Sequence, residues 1–346
     1  MKTKATIYST IRRYTTHMCC MMCCIILSTL TACQEDDQLG NACEVRVRLF
    51  AKEHVEVTRT EGTYLPLSAT GLSDATAGLY VAMGGQQTLY PLTWNGTTLG
   101  TNIYLEKDSY TLYAYMPQRE GTTLTNATSN ANASLTFTDI PGIGCEDIMV
   151  SQAADITVGS TEQTVALNMD HLLARITLSF TINEAYNNLR TIKIKNVDFS
   201  LPETNPINTY SSTITYGTDR QTVWNAPSSQ STEPNTTYNI YSGEQNNGGQ
   251  ILSTDPTTIG VCYVVPEQGI EGLQMRVEYD VYDKVDNENP IRSDVVENKV
   301  IIKQNGTAVN RLTAGNNYKL NIQVIPSYLY VLSDNDQGST LVIPND

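Results

Sequence analysis

Histidine is almost missing from this chain: three in 346 residues, and one of them, His17, lies in the first stretch. That leaves His54 and His171. With no G-x-S-x-G run and no nucleophile-and-base pattern, hydrolase chemistry has no evident performer, and no enzymatic activity is expected. Positive charge is scarce too, with 22 Lys+Arg against 36 Asp+Glu and a formal net charge of −14. Phosphate binding needs clustered Lys and Arg, so a nucleic-acid partner is excluded. Large aromatics other than tyrosine are few, with 4 Phe and 2 Trp, and Trp94 with Trp224 gives no sugar-stacking signal by itself. Long helical periodicity is lacking as well.

Cysteine looks plentiful at eight but is unevenly placed. Cys19, Cys20, Cys23 and Cys24 lie in an apolar stretch, Met18 to Leu30, behind a basic segment holding Lys2, Lys4, Arg12 and Arg13. That order is the one of a secretory leader. The apolar run is too short for a spanning helix, which needs about 20 residues. It ends in Leu30-Thr31-Ala32-Cys33, two small residues before a cysteine. This fits lipoprotein signal peptidase, which cuts before a lipidated cysteine, so residues 1–32 are expected to be removed and Cys33 to carry the lipid. Gln34-Glu35-Asp36-Asp37 then resembles the acidic tag that sends some Gram-negative lipoproteins to the outer face of the outer membrane. Four basic and no acidic residues precede Cys33, so 18 basic against 36 acidic leaves −18. Cys43, Cys145 and Cys262 remain, an odd number without C-x-x-C spacing. One disulfide plus a free thiol and three buried thiols are both open, and no metal site or cofactor is expected.

What is abundant is tyrosine, at 20, together with Thr, Ser and Asn. Those residues suit strands with one wet face. Period-2 runs recur at Val45–Leu49, 78–83, 88–94, 101–105, 110–116, 134–137, 147–150 and 164–169, punctuated by Gly84-Gly85, Asn95-Gly96 and Pro141-Gly142. A second series covers 174–180, 191–199, 257–265, 273–282, 299–303 and 318–325. Many short strands with regular turns predict an all-β sandwich architecture. Residues 205–250 are Asn-, Thr-, Ser- and Gly-rich and read as a polar surface excursion with one or two weak strands. A helical turn is expected around Asn183 to Asn188, and a domain boundary near residue 172.

The chain resembles the fimbrillin family, subunits of pili assembled by proteolysis on Gram-negative surfaces. The carrying features are Cys33, a first strand at 45–57 followed by Thr58-Arg59, Asp147-Ile148-Met149-Val150, Asp170-His171-Leu172-Leu173-Ala174-Arg175-Ile176, and Leu312 to Leu320. The resemblance implies two transthyretin-like β-sandwich domains in tandem. They would follow the lipid anchor and first strand (33–59) and cover 60–171 and 172–346. It also implies cleavage between Arg59 and Thr60 by a trypsin-like protease, releasing the first strand with its lipid. Loss of such a strand bares unpaired backbone groups beside an apolar trough, which another extended segment can refill. Near the other end, Tyr328-Leu329-Tyr330-Val331-Leu332 and Thr340-Leu341-Val342-Ile343 flank a turn. Leu329 with Val331, or Leu341 with Ile343, would fill alternate pockets of a sister subunit's groove. Alternatively they are the last strands of the second domain's own sandwich. An uncleaved anchor subunit is a third version the sequence permits, and so is a tip subunit.

The rival reading is a surface glycan-binding lipoprotein using Tyr210, Tyr216, Trp224, Tyr238 and Tyr241. Asp280, Asp283, Asp286 and Glu288, like Asp334-Asn335-Asp336-Gln337-Gly338, read as solvated turns; the latter lacks the closing Glu of a calcium loop. Asp170 and His171 are neighbours on one strand, so they face opposite ways and cannot act as a dyad. His171 is expected as a packed histidine.

Overall fold

The computed structural model describes residues 42–56, 63–67, 76–94, 98–127, 133–226, 235–246, 248–285, 288–304 and 306–325. Twenty-five strands run through them. The first series is β1 (Ala42–Lys52), β2 (Val55–Glu56), β3 (Tyr64–Pro66), β4 (Ala77–Met83), β5 (Gln86–Trp94), β6 (Leu99–Glu106), β7 (Ser109–Met116) and β8 (Thr123–Thr125). There follow β9 (Ser134–Pro141), β10 (Ile143–Cys145), β11 (Met149–Ser151), β12 (Ala154–Thr157), β13 (Gln163–His171) and β14 (Ala174–Ile182). Next are β15 (Arg190–Ser200), β16 (Thr209–Thr215), β17 (Gln221–Asn225), β18 (Thr237–Ser242), β19 (Gln250–Ile251), β20 (Thr257–Val264) and β21 (Gln274–Asp283). The last are β22 (Arg292–Lys299), β23 (Lys303–Gln304), β24 (Thr307–Ala308) and β25 (Asn316–Val324). The expectation of an all-β protein holds. The helical turn is also where the sequence puts it: α1 (Glu184–Asn187) starts at Asn183, whose side-chain oxygen accepts from the Ala185 N–H at 2.9 Å. That contact satisfies one of the donors a helix start leaves free.

The chain divides into two units, one of Met1–Arg46, Asn102–Ser109 and Thr157–Val165, the other of Val47–Thr101, Tyr110–Ile156 and Ala166–Asp346. In the smaller unit the Cys43 thiol donates to Gly159 O at 2.8 Å and Asn102 Nδ2 donates to Glu44 Oε1 at 2.8 Å. Arg46 there pairs with both Glu44 and Glu162.

In the larger unit, strand residues lie in the order β11-β13-β1-β6-β5-β4-β7-β12, with β3 on β1. β11 also pairs β7, which closes the row from β11 to β7 into a ring and leaves those seven strands without a free edge. The remaining orders are β10-β20-β14-β25-β2, β18-β15-β21-β22 with β19 on β15, and β17-β16-β9-β8. Two apolar clusters stand out among the described residues. One gathers Phe180, Phe199, Ile194, Leu178 and Val277 with their neighbours. The other gathers Tyr113, Tyr115, Phe137, Leu135, Ile148 and Tyr216. Pairings of β9 with β16, β10 with β20 and β2 with β25 join strands from either side of residue 172.

Several local expectations are corrected. The first strand does not run unbroken from 45 to 57: β1 stops at Lys52, and β2 leaves for another sheet, lying parallel to β25 with Val55 opposite Asn316. Part of the 205–250 segment is not a surface excursion. β16 sits between β9 and β17, and Tyr210, Ser212, Ile214 and Tyr216 all point inward at 5% exposure or less. Their alternation is a strand signal that the surrounding Ser and Thr mask. Residues 299–303 form no single strand. Val300 instead donates to Leu273 O, and Ile301 is exposed while Ile302 is buried. Asp280 is not on a solvated turn: it lies in β21, buried, accepting from Ser293 Oγ at 2.6 Å.

Candidate functional site

β1 is the strand on which the functional argument turns. Val45, Val47 and Leu49 alternate with Arg46, Arg48 and Phe50, and the three aliphatic side chains have 0% exposure. Burial of each contributes about 2 kcal/mol. The strand lies inside its sheet, between β13 and β6, so its backbone is paired on both sides. Gly100 of β6 allows that close approach, since a Cβ there would stand 2.3 Å from Val47 O. At its far end β1 also carries β3, with Lys52 opposite Tyr64.

Where β1 gives way to β2, four segments converge. His171, at the end of β13, has its Nε2 2.6 Å from Lys52 O. Its Nδ1 lies 2.9–3.0 Å from the two carboxylate oxygens of Asp147. His54 lies against it with ring centroids 3.6 Å apart and the planes tilted by 36°, and stands 5.7 Å from the Tyr263 ring of β20. The His54 ring is pushed down to about 3, chiefly by burial, then by the His171 ring and Arg175, with Asp147 opposing, so its imidazole is neutral at ordinary pH. The Tyr263 phenol, hydrogen-bonded to Asp147, is pushed up, by burial first and then by that carboxylate. One donor atom from each of His54, Asp147 and His171 lies within 4.8 Å of the other two.

His171 is packed, its side chain 8% exposed, but it is also engaged through both ring nitrogens, which sequence reasoning missed. Asp170 does face the other way, accepting from the Tyr64 hydroxyl and pairing with Arg220 at 3.0 Å. Cys43, Cys145 and Cys262 are all free thiols, Cys262 buried and the other two half-buried, so they are not three buried thiols. The aromatic set of the glycan reading does not form an exposed platform, because Tyr210, Tyr216 and Tyr241 are buried. Cys33, Leu30, Thr31, Ala32, Arg59, Thr60, Leu329, Val331, Leu341 and Ile343 lie outside the described residues. Among the described residues no helix is long and apolar enough to cross a membrane.

The described residues thus define an all-β protein whose first long strand is threaded between two others. A family model described as fimbrillin-like matches residues 58–341. The chain therefore belongs to the fimbrillin-like family. No curated protein matches it. Among solved structures, a fimbrial protein from Bacteroides vulgatus is 15% identical, with 82% of this chain and 95% of that chain covered and a TM-score of 0.41. A candidate cell adhesion protein from Bacteroides uniformis is 14% identical, covering 86% and 96%, with a TM-score of 0.41. Another, from Bacteroides ovatus, is 12% identical, covering 88% and 96%, with a TM-score of 0.44.

Proposed function

We propose that this chain is the precursor of a surface pilus subunit, lipidated on Cys33, that polymerises by strand exchange after cleavage between Arg59 and Thr60. It serves cell adhesion and catalyses nothing. The observation that carries the reading is the placement of β1. Withdrawing a strand whose Val45, Val47 and Leu49 are fully buried, from between β13 and β6, leaves two rows of unpaired backbone groups and vacated aliphatic positions. Unpaired N–H and C=O groups beside an apolar trough are refilled best by another extended segment. Leu329 with Val331, or Leu341 with Ile343, supplies the matching alternation from a sister chain. A trypsin-like processing protease and other pilus subunits are the partners, and the outer membrane is the anchor before release. The reading keeps tandem transthyretin-like sandwiches over 60–171 and 172–346, with the cluster around Tyr113 and Phe137 drawing Leu172, Tyr210, Ile214 and Tyr216 across that boundary.

Arg59 follows β2 by three residues, while Arg46 and Arg48 lie within β1 and are shielded as long as it is paired. The test treats the purified chain with a trypsin-like protease, reads the new N-terminus and measures mass in solution. A product starting at Thr60 that forms ladders of higher oligomers is the expected result. An uncut Arg59 with a strictly monomeric product overturns the polymerising reading and leaves an uncleaved anchor or tip subunit.

A further inference from the structure

We propose that His54, Asp147 and His171 form a binding site for one divalent metal ion of the zinc class, at the point where β1 hands over to β2. The argument starts from the Lys52 carbonyl. A carbonyl oxygen only accepts, so His171 Nε2, 2.6 Å away, carries a hydrogen and donates it. In the neutral ring that leaves Nδ1 with a bare lone pair, aimed at the Asp147 carboxylate 2.9–3.0 Å away. Two acceptors at that separation repel unless a cation lies between them. A proton on Nδ1 satisfies this pair alone. It does nothing for His54, whose Nε2 is buried and has no hydrogen-bond partner among the described residues. A metal ion serves all three groups at once, because each offers a donor atom within 4.8 Å of the others.

The donor set selects the ion. Two imidazole nitrogens and one carboxylate oxygen suit zinc and its first-row neighbours, whereas calcium and magnesium require more oxygen ligands. Lys52 O plays the outer role such sites commonly show, holding the ligand's second ring N–H and so fixing its tautomer. The Tyr263 phenol, bonded to Asp147, orients the carboxylate in the same way. Arg175 is the neighbouring positive charge, which works against a cation here and is offset by the Asp147 carboxylate. The three ligands come from the link after β1, the segment before β11 and the end of β13, so an ion there fastens the end of the first long strand to two others.

The test uses the full chain, stripped with EDTA and with accessible thiols blocked by iodoacetamide so that the leader cysteines bind no metal. Zinc is titrated calorimetrically, cobalt by visible absorption, and calcium serves as the hard-cation comparison. Expected are one equivalent of zinc, cobalt bands between about 500 and 700 nm, no calcium binding, and a saturable rise in melting temperature. His54→Ala and Asp147→Asn should each weaken zinc binding 100-fold or more while melting, without metal, near the parent. Should either variant fail to fold, His54→Gln replaces it with the same expectation. The proposal is overturned if the parent shows no saturable zinc binding, or if the variants bind as the parent does.

Discussion

The rings of Tyr113 and Tyr216 meet edge to face with centroids 4.7 Å apart, although 103 positions separate them in the chain. Tyr113 comes from β7, and Tyr216 follows β16, the strand that composition disguises as surface loop. Both rings are buried, and the Tyr216 hydroxyl has no hydrogen-bond partner among the described residues. Two substitutions at this position should therefore diverge. Tyr216→Phe keeps the ring and removes a hydroxyl whose desolvation nothing offsets, so it should be neutral or stabilise by about 1 kcal/mol. Tyr216→Ala opens a cavity and should cost about 3–5 kcal/mol. Guanidinium unfolding of both variants beside the parent measures the contrast. If Tyr216→Phe proved the costlier change, the burial of that hydroxyl would be misassigned.

The same core makes the protein sensitive to alkali. Burial pushes Tyr113 and Tyr115 up to about 12 and Tyr216 higher still, with Asp155 adding to the effect on Tyr113. In the unfolded chain these phenols titrate near 10. Between the two values the folded state holds protons that the unfolded state has lost, so stability falls as pH rises. The contribution is complete below about pH 10 and disappears through pH 12. Absorbance at 295 nm should then show a late, steep fraction of tyrosine ionisation coincident with loss of the far-UV signal. A gradual titration finished before unfolding would contradict it.

How much of this was legible follows from which residues alternate. β4, β7, β14 and β15 carry an apolar residue on most alternate positions and stand where the sequence puts them to within two residues at either end, whereas β1 starts three residues before the expected 45 and stops five before the expected 57. β16 was hidden because its inward positions include Ser212 and its outward ones are Ser and Thr, so composition outweighed periodicity. β22 is absent from the strands read in the sequence because a sheet-edge strand needs no apolar face: Arg292-Ser293-Asp294 offers no apolar alternation, yet Val281 pairs with Arg292. The break after Lys52 depends on β25, more than 260 residues away, and no local signal specifies such a partner. The His54–Asp147–His171 cluster forms only because of that break. Its one trace in the sequence is that both histidines beyond the leader follow an acidic residue, as Glu53-His54 and Asp170-His171.

Thiol chemistry separates the three cysteines beyond Cys33. Burial pushes Cys145 up to about 12, and Cys262 is pushed up further by burial and by Cys145. The nucleophile in alkylation is the thiolate, so both should resist iodoacetamide at pH 8 in the folded protein. Peptide mapping should find them modified only after denaturation. Rapid labelling of Cys262 in the native state would mean that its strand, β20, opens readily.

Gln268 holds another polar group in the interior with every hydrogen-bonding atom engaged. Its Nε2 donates to Pro206 O at 3.1 Å and to Gly269 O at 2.9 Å, while its Oε1 accepts from the Asn208 N–H at 2.9 Å. Gln268→Leu would keep the volume but strand the Pro206 carbonyl and the Asn208 N–H, while Gly269 O keeps its bond from Asn205 Nδ2 at 3.1 Å, at a cost of about 2–4 kcal/mol. Gly142→Ala should act through the same contact, since its Cβ would fall 2.1 Å from Gln268 Oε1. Thermal melts of the two single variants and the double variant should show losses that do not add, because both disturb one amide. Strict additivity would separate them.

Gly100 offers the most direct probe of the first long strand. Alanine there would bring a carbon to 2.3 Å from Val47 O, a backbone atom that cannot rotate away, so β6 and β1 must part locally. The loss falls on pairing between two strands, not on the core as a whole. Hydrogen exchange should therefore quicken at the amides of residues 45–49 by about 10-fold or more, equivalent to roughly 1.4 kcal/mol of local opening. Amides of β15 and β21, which share no sheet with β1, should keep the parent's protection. Gly159→Ala is the matched comparison, because a Cβ there meets nothing within 4 Å and its exchange pattern should equal the parent's. If Gly100→Ala loosened all sheets equally, β1 would be an inseparable part of the cooperative fold, and a strand released by cleavage would lose its physical basis.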